Sequence, residues 1–459
     1  MIMNGEQAIP NLGIDTQPPQ ATSPKRLLRL LAIGVCAASL LVYMLGWYMA
    51  ARDPEMQGFD GLVRRSDFVS NLTGAKVIAE GNGHNLYNLD VQREAQDAVL
   101  YPYFKLDPGS ILPYNHIPFE AMLTAPLVQA GVPYTAIFTL WELLMVALLA
   151  ASIWTMQRVR PVHGAALLVM VAAAVSYQPV ARAFILGQNS PRVLLGLCLV
   201  YAASRQKQDV WAGLALLLVA PKPQVLPMIA LVLLLQGRWR ALLVFGGAMA
   251  ALCVAAMPVL GVEWPLQYAR LLVGVAGWQE TGAIDPGIMH NWRGFATNLF
   301  VGWAPALVTP LFLLLTLLSV GLVVWLWLKT RHGEATGAPT TAWHASFDMM
   351  WAVAGIVAVI TSLHLNPHDL VLLIFPAWIV GTYALNSAFG SASRLCLALL
   401  WLGYAVIPAA YFLQRVPGVS SGGVVLSVLL MAVGAVLLAR QQVRDETAKT
   451  PRTPRLRQD

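Results

Sequence analysis

Asp67 is the first residue whose type and position suggest chemistry. It follows Arg64 and Arg65 in a polar stretch beyond the first long apolar run. A carboxylate in such a place suits a general base that removes a proton from a polar acceptor. A structural role is the alternative, because Ser66 or Asp67 could instead cap the helix predicted to follow. The spacing alone favours the cap.

Lys222 is the second candidate. It stands between Pro221 and Pro223 at the end of a short apolar run, residues 210–220. This pattern predicts a lysine held at membrane depth, where an ionisable residue is costly and usually functional. We expect Lys222 to face a hydrated hollow, with no buried partner behind it, and to bind a phosphate oxyanion. The alternative is a lysine that extends to the membrane interface.

A third cluster combines His364, His368 and Asp369. These side chains could act as metal ligands, phosphate donors or substrate contacts. The spacing of the two histidines is typical of a metal pair on a helix, but Pro367 lies between them and would break that helix. The sequence therefore disfavours a metal site.

A fourth cluster, residues 289–294, contains His290, Trp292 and Arg293. Three aromatic residues precede it, namely Trp264, Tyr268 and Trp278. Aromatic side chains in such positions are more often an interfacial belt than sugar-binding platforms. Arg182 could serve a site or anchor the outer end of its helix.

Common catalytic and cofactor motifs are absent from the sequence. There is no P-loop, no G-x-G-x-x-G after a strand, no G-x-S-x-G and no H-E-x-x-H. The four cysteines all lie in apolar runs without C-x-x-C spacing (Cys36, Cys198, Cys253 and Cys396). Neither a disulfide framework nor a zinc site is expected.

Composition indicates the elements that must position these residues. The 459-residue chain is 57% hydrophobic and 12% charged, with a mean hydropathy of +0.62, whereas soluble domains carry about a quarter charged residues. Its apolar residues form long runs, which predicts an all-α, polytopic transmembrane bundle of about twelve spans. The net charge of +7 does not indicate nucleic-acid binding, because no basic stripe interleaves with aromatics.

Basic clusters at the ends of the apolar runs predict the topology, since Lys and Arg favour the cytoplasmic side. The clusters are Lys25 with Arg26 and Arg29, Arg158 with Arg160, Arg205 with Lys207, Arg238 with Arg240, Lys329 with Arg331, Arg394, and the C-terminal tail. Both termini are then cytoplasmic. The segments predicted outside are 51–116, 187–190, 221–224, 261–297, 362–369 and 414–421.

Three apolar segments are too short to cross a bilayer. Runs 164–177 and 210–220 precede the turns at 187–190 and 221–224, so we expect these turns to line a water-filled hollow below the outer surface. Segment 117–130 is interpreted as a re-entrant or interfacial helix. Short helices are also predicted in the first outside loop, 51–116.

The chain is expected to divide into three parts. Residues 1–24 are polar and predict a disordered cytoplasmic tail, residues 25–440 form the membrane domain, and residues 441–459 are a basic cytoplasmic tail. The first span, about 27–48, lacks a small-residue cleavage site and is interpreted as an anchor.

Short motifs along residues 30–385 form a recognisable series. They are Ser66-Asp67-Phe68 with Gly81 and Tyr87, Tyr114-Asn115-His116-Ile117-Pro118-Phe119 with Pro126, Gly187-Gln188-Asn189, Ala212-Gly213, Lys222-Pro223-Gln224, and His368-Asp369-Leu370 with Pro376. In order and spacing this series resembles glycosyltransferase family 87, the DUF2029-type members of the GT-C superfamily. That family includes bacterial polyprenol-phosphate-mannose-dependent α-mannosyltransferases.

The resemblance implies a GT-C membrane bundle with a non-cytoplasmic active site and a lipid-linked donor. The family's first-loop aspartate acts as the base, and this role falls on Asp67. We assign the donor phosphate to Lys222, Arg293 and His364. The expected substrate-binding residues are Arg65, Tyr87, Gln188, Asn189, Gln224, Trp292, His368 and Asp369. The family usually has two prolines where this chain has Ile117-Pro118, and a tyrosine in place of His368, which leaves the sugar and the acceptor open.

The predicted function is an inverting transfer of a hexose, with mannose expected, from a polyprenyl-phosphate donor to a lipid or glycan acceptor. The enzyme is expected in the bacterial inner membrane, surrounded by lipid and facing the periplasm, without a metal cofactor. A transporter or flippase for a lipid-linked substrate is the main alternative. No internal repeat is evident, however, and the polar residues gather at one face. A structural scaffold would leave Lys222 unexplained. The linkage position, the oligomeric state and any help from a metal stay open.

Overall fold

The computed structural model describes residues 58–404, apart from 107–110, 275–285, 336–339, 387–393 and 401, and a few residues between 30 and 44. Most of the expected first span at 27–48 lies outside the described residues. So do the tails 1–24 and 441–459 and the expected turn at 414–421.

The described residues form helices and turns, with no strand among them. The α-helices are α1 (Gly58–Arg65), α2 (Phe68–Ala79), α3 (Leu89–Leu100), α4 (Phe119–Gln129), α5 (Tyr134–Val159), α6 (Ala165–Val175), α7 (Gln178–Ile185), α8 (Ser190–Arg205), α9 (Asp209–Val219), α10 (Leu226–Leu235), α11 (Trp239–Leu260), α12 (Trp264–Gly274), α13 (Trp292–Phe300), α14 (Val308–Ala335), α15 (Thr340–Ile360) and α16 (Ile374–Asn386). Short 3₁₀ helices lie at Gly83–Asn85, Pro286–Ile288, Pro305–Leu307 and Pro367–Leu373. The all-helical prediction is confirmed for this part of the chain.

Several helices are long and apolar enough to cross a membrane. Within the described ranges there are four: Tyr134–Val159, Trp239–Leu260, Pro305–Leu328 and Pro367–Leu385. Helices α6 and α7, bent by 44° at their junction, make a fifth if they are one span. These helices are consistent with a membrane protein. The count of about twelve spans stays a prediction, because other apolar helices, such as α9 and α10, are shorter than a bilayer requires.

Turns are present at two of the positions where the sequence predicts them. Helices α7 and α8 are joined by a turn at 186–189, and α9 and α10 by a turn at 220–225. The segment 261–297, expected as a loop, contains α12 and the start of α13. Helix α12 forms there because Trp264 and Leu271 lie on one face and are buried, and an apolar stripe at helical spacing stabilises a helix by packing.

The described part of segment 51–116 forms short helices, as predicted, while its position outside the membrane stays a prediction. Helix α2 is nearly all buried and packs against α4. Gly74 permits this approach, because a Cβ at that position would lie 3.1 Å from Cβ of Ala121 on α4 and 2.9 Å from the ring of Tyr114. Helix α4 is therefore one layer of a small packed unit at this end of the molecule.

A buried ionic cluster marks one end of the bundle. Asp348 is fully buried, and its two oxygens accept hydrogen bonds from three side chains and form an ion pair with a fourth. The contacts are Tyr201 Oη at 2.7 Å, Arg205 Nε at 3.1 Å, Tyr383 Oη at 2.7 Å and Arg160 Nη1 at 3.2 Å. We name this group the Asp348 cluster.

Helix α8 runs from the Asp348 cluster to a second polar region. Arg205 is its last residue and Ser190 its first, so these ends lie about 22 Å apart at 1.5 Å per residue. The segment from Pro367 to Asn386 makes the same connection, with Asp369 at one end and Tyr383 near the other. The two polar regions therefore occupy opposite ends of shared elements.

Candidate functional site

The turn between α7 and α8 is the centre of the second polar region. Gly187 has φ +66°, a conformation that glycine adopts without strain. A Cβ there would lie 2.6 Å from Cβ of Phe68. Trp141 Nε1 donates to the Gly187 carbonyl at 2.9 Å. Backbone conformation, close packing and a hydrogen bond thus hold the turn in one place.

Three consecutive side chains of this turn each donate to a different carboxylate. The bonds are Gln188 Nε2 to Asp67 Oδ2 at 2.8 Å, Asn189 Nδ2 to Glu120 Oε1 at 2.6 Å, and Ser190 Oγ to Asp369 Oδ1 at 3.2 Å. The three acids come from the α1–α2 junction, from α4 and from the 3₁₀ helix Pro367–Leu373. One short turn therefore joins three distant parts of the chain.

Asp67 lies at the start of α2, but its side chain makes no capping hydrogen bond. The neighbouring Ser66 hydroxyl donates to the Val63 carbonyl at 2.7 Å and does not cap α2 either. The capping interpretation, which spacing favoured, is wrong. The Asp67 side chain is 34% exposed, against 3% for Glu120 and 2% for Asp369. Of these three acids, Asp67 is the one that a substrate can reach.

Lys222 forms an ion pair with Asp369 and is itself buried. The expectation that no buried partner stands behind this lysine is therefore wrong. Asp369 also accepts from the backbone N–H of Asn366 at 3.0 Å. The turn that follows α9 thus places the ammonium group against the 3₁₀ helix, where the carboxylate compensates its burial.

His368 lies between two of the acids. Its Nδ1 is 4.0 Å from Oδ2 of Asp67, and its Nε2 is 3.5 Å from Oδ1 of Asp369. The side chain is 3% exposed. The structure thus brings together Asp67, Gln188, His368, Asp369 and Lys222, which the sequence placed on separate outside segments.

Glu120 and Arg192 were missed by the sequence analysis. Glu120 is buried and forms an ion pair with Arg192. Its carboxylate interrupts the apolar segment 117–130, and such a carboxylate is a signal that could have identified it. Its partner could not be found in the same way, because Arg192 is 72 residues further along the chain.

The surroundings of Asp67 and Glu120 shift the pKa values of these two carboxyl groups in opposite directions. Although a third of the Asp67 side chain is exposed, the protein that surrounds the rest of it disfavours the anion and raises the pKa of the carboxyl above its ordinary value. Gln188, Arg182 and Lys222 oppose this rise. Burial acts in the same direction on Glu120, but Arg192 and its other polar neighbours outweigh it and lower the pKa. The ionised form of Glu120 is therefore stabilised, whereas Asp67 is protonated more easily than an ordinary aspartate.

A second group of the predicted residues lies beside this cluster. Gln224 Nε2 donates to the His364 carbonyl at 3.2 Å, and Arg293 Nη1 to the Leu363 carbonyl at 3.3 Å. Asn291 Nδ2 donates to the carbonyl of Ser362, in the same segment, at 2.8 Å. Burial lowers the pKa of His364, so its imidazole is neutral near pH 7.

Three of the predicted substrate-binding residues have other neighbours. Tyr87 is buried and donates to the His116 carbonyl at 3.0 Å. Trp292 is buried in the main core and donates to Ser319 Oγ at 2.9 Å. The guanidinium of Arg65 lies 4.1 Å from the ring centre of Phe104. Their assignment to the substrate stays a prediction.

A metal site was not expected from the sequence. In the part of the chain that the structure describes, no group of three or more His, Cys, Asp or Glu side chains could hold a metal ion.

Comparison with known proteins identifies the family. The sequence model of glycosyltransferase family 87 matches residues 114–354, a little more than half of the chain. The matched stretch includes Glu120, the turn at 187–190 and Lys222, while Asp67 and Asp369 lie outside it. No curated protein matches the chain. No solved structure matches it. Because the family model covers more than half of a chain that also contains membrane-length apolar helices, the protein belongs to glycosyltransferase family 87 and is a membrane glycosyltransferase.

Proposed function

We propose that the protein transfers a hexose, with mannose expected, from a polyprenyl-phosphate carrier to the hydroxyl of a lipid or glycan acceptor. The observation that carries this proposal is Asp67, a partly exposed carboxylate that accepts a hydrogen bond from Gln188 and on which Arg182 and Lys222 act electrostatically. The family match supports sugar transfer. The donor, the sugar and the role of Asp67 are parts of the proposal.

The chemistry is a single displacement with Asp67 as the general base. The acceptor oxygen attacks the anomeric carbon and its proton passes to an oxygen of Asp67. The bond between the anomeric carbon and the phosphate oxygen breaks, and the electron pair leaves with the phosphate. Attack opposite the leaving group inverts the anomeric configuration, so a β-linked donor yields an α-linked product.

The leaving phosphate needs positive charge nearby. Lys222 can supply it although it is paired with Asp369, because an ammonium group has three N–H donors. Arg182 is close enough to act electrostatically on both Asp67 and His368. In this proposal Arg293 contributes charge, and the neutral His364 contributes a hydrogen bond.

We place the reaction at the periplasmic face of a bacterial inner membrane, with the carrier lipid between helices and both termini in the cytoplasm. The basic clusters of the sequence support this orientation. Arg160 and Arg205 belong to the Asp348 cluster, at the end of α8 opposite the Asp67 site. The phosphate contacts are cationic side chains, so we expect transfer to proceed without a metal ion.

A donor assay on purified protein tests the proposal. The detergent-solubilised enzyme is incubated with a membrane lipid extract and a radiolabelled sugar, carried either on synthetic polyprenyl phosphate or on a nucleotide. We expect label to enter the extract from the polyprenyl-phosphate sugar alone, with EDTA present or absent. Turnover from the nucleotide sugar alone would contradict the proposal. Movement of the lipid-linked sugar across proteoliposomes without covalent change would favour a flippase.

A further inference from the structure

Glu120 is a buried acid that the proposed reaction does not use. It lies on α4, a short helix that packs against α2, and it accepts from Asn189 and pairs with Arg192. We propose that Glu120 is a positioning residue: with Arg192 it holds Asn189, and through the 187–190 turn it keeps Gln188 against the carboxylate of Asp67. This inference rests on the proposed role of Asp67 as the base.

The first argument is geometric. Gly187 is held on one side of the turn by Trp141 and by the close approach of Phe68. Asn189 is held on the other side by the 2.6 Å bond to Glu120. Gln188 lies between two fixed residues, so its backbone is held within reach of Asp67, and its amide donates to Asp67 at 2.8 Å.

The second argument concerns the free-energy cost of burying an ion pair. Glu120 is 3% exposed and its partner Arg192 is 18% exposed. Ion pairs removed from water are often no more stable than apolar residues of similar volume. Packing alone therefore gives little reason for a charged pair at the start of α8. A requirement for a strong, directional acceptor opposite Asn189 does give a reason.

The third argument is electrostatic. Four charged or titratable groups act on Asp67 from the elements around it: Arg182 on α7, Lys222 on the turn after α9, and His368 and Asp369 on the 3₁₀ helix. Gln188 adds the hydrogen bond that opposes protonation of Asp67 most strongly. If the turn loosens and this bond is lost, the pKa of Asp67 rises further. The base is then ionised only at higher pH.

The decisive experiment compares two neutral replacements of the ion pair. In the double variant E120Q/R192Q, the glutamine carbonyl still accepts from Asn189. In E120L/R192L, no acceptor remains, although volume is largely kept. We expect E120Q/R192Q to retain most of the wild-type kcat. We expect E120L/R192L to unfold at a moderately lower temperature, because the buried Asn189 amide loses its acceptor. We expect it to lose kcat by up to about 100-fold, because small misplacements of reacting groups have effects of this size.

The pH profile and the Michaelis constants separate positioning from a purely structural role. In E120L/R192L, and in Asn189→Ala, we expect the acid limb of kcat/KM to move to higher pH while the KM for each substrate changes little. Gln188→Ala should produce the same movement. Adding Asn189→Ala to Gln188→Ala should move the acid limb no further, because both substitutions act through the same interaction, the hydrogen bond from Gln188 to Asp67.

Thr124→Val is the matched control. Thr124 is buried on α4 one turn from Glu120, and its hydroxyl donates to the Glu120 backbone carbonyl at 3.0 Å. It does not touch the 187–190 turn, so kcat and the acid limb should stay as in the wild type.

The outcomes separate this inference from the proposed function. If Asp67→Asn is inactive but E120L/R192L keeps wild-type kcat and an unmoved acid limb, Glu120 is structural and only this inference fails. A large rise in KM without a change in the acid limb would make the pair a substrate contact and would overturn positioning. An active Asp67→Asn would remove the proposed base itself.

Discussion

Two buried polar regions lie at opposite ends of α8, and they use carboxylates in different ways. Asp348 is fully buried, and its oxygens accept hydrogen bonds from two tyrosines and Arg205 and pair with Arg160. Among the described residues, Asp67 accepts a hydrogen bond from Gln188 alone, and a third of its side chain is exposed. The Asp348 carboxylate is saturated, whereas Asp67 retains lone pairs and access.

The difference shows why burial and charge do not by themselves identify a reactive site. A carboxylate whose donors fill both oxygens is stabilised as an anion and joins the helices around it. A reactive carboxylate needs an open lone pair, an accessible face and a pKa that allows it to take a proton. Asp67 meets these conditions and Asp348 does not.

The largest expected effect separates the two regions by activity. Asp67→Asn should lower kcat by about 100- to 10,000-fold, because an amide cannot accept the acceptor's proton. Its carbonyl can still accept from Gln188, so the thermal unfolding midpoint in detergent should be unchanged. Asp60→Asn is the matched control. Asp60 is 28% exposed and pairs with Arg64 on α1, outside the site, and its loss should leave turnover unchanged. Near wild-type transfer by Asp67→Asn would assign the base elsewhere.

The second expected effect distinguishes the Asp348 cluster from the Asp67 site by protein stability. Asp348→Asn removes the charge that compensates Arg160 and Arg205, and breaking a buried pair in this way costs about 3–5 kcal/mol. The unfolding midpoint should fall clearly, while the protein that remains folded should keep the wild-type KM for both substrates. An unchanged midpoint would mean that the Asp348 cluster does not join the helices as its geometry indicates.

The third prediction concerns Lys222, which we expect to affect both protein stability and donor binding. Lys222→Ala leaves the Asp369 carboxylate buried and unpaired, so the unfolding midpoint should fall. The KM for the donor should rise about ten- to a hundredfold, the worth of a hydrogen bond to a charged group. Adding Asp369→Asn removes the orphaned charge and should restore the midpoint but not donor use. Recovery of donor use in the double variant would show that Lys222 serves only Asp369.

The smallest expected effect is on pH dependence. The general base acts when ionised, and burial raises the pKa of Asp67. Activity should therefore fall as the pH decreases through a value above the ordinary aspartate pKa of about 3.9. Gln188→Ala removes an interaction that lowers this pKa, so the acid limb should move to higher pH. An acid limb unaffected by Gln188→Ala would show that another group controls it.

Local pattern was enough to predict much of the site. The outer turns at 187–190 and 221–224 follow from apolar runs that end in polar and proline residues. Lys222, His368 and Asp369 stand out because ionisable residues are rare in such surroundings. The interpretation of Asp67 as a cap failed because spacing reports only that a helix follows, and the hydrogen bond from Gln188 comes from a distant turn.

The sequence by itself determined the class of the protein, because long apolar runs have few folded solutions other than helices in a membrane. It also predicted which polar residues share one end of the bundle, because basic clusters alternate with them along the chain. Only the tertiary structure decided that Lys222 pairs with Asp369, that Glu120 pairs with Arg192, and that one turn joins three carboxylates. These contacts join residues separated by 69 to 179 positions. Helical periodicity describes neighbours three or four residues apart and carries no information on partners at such separations.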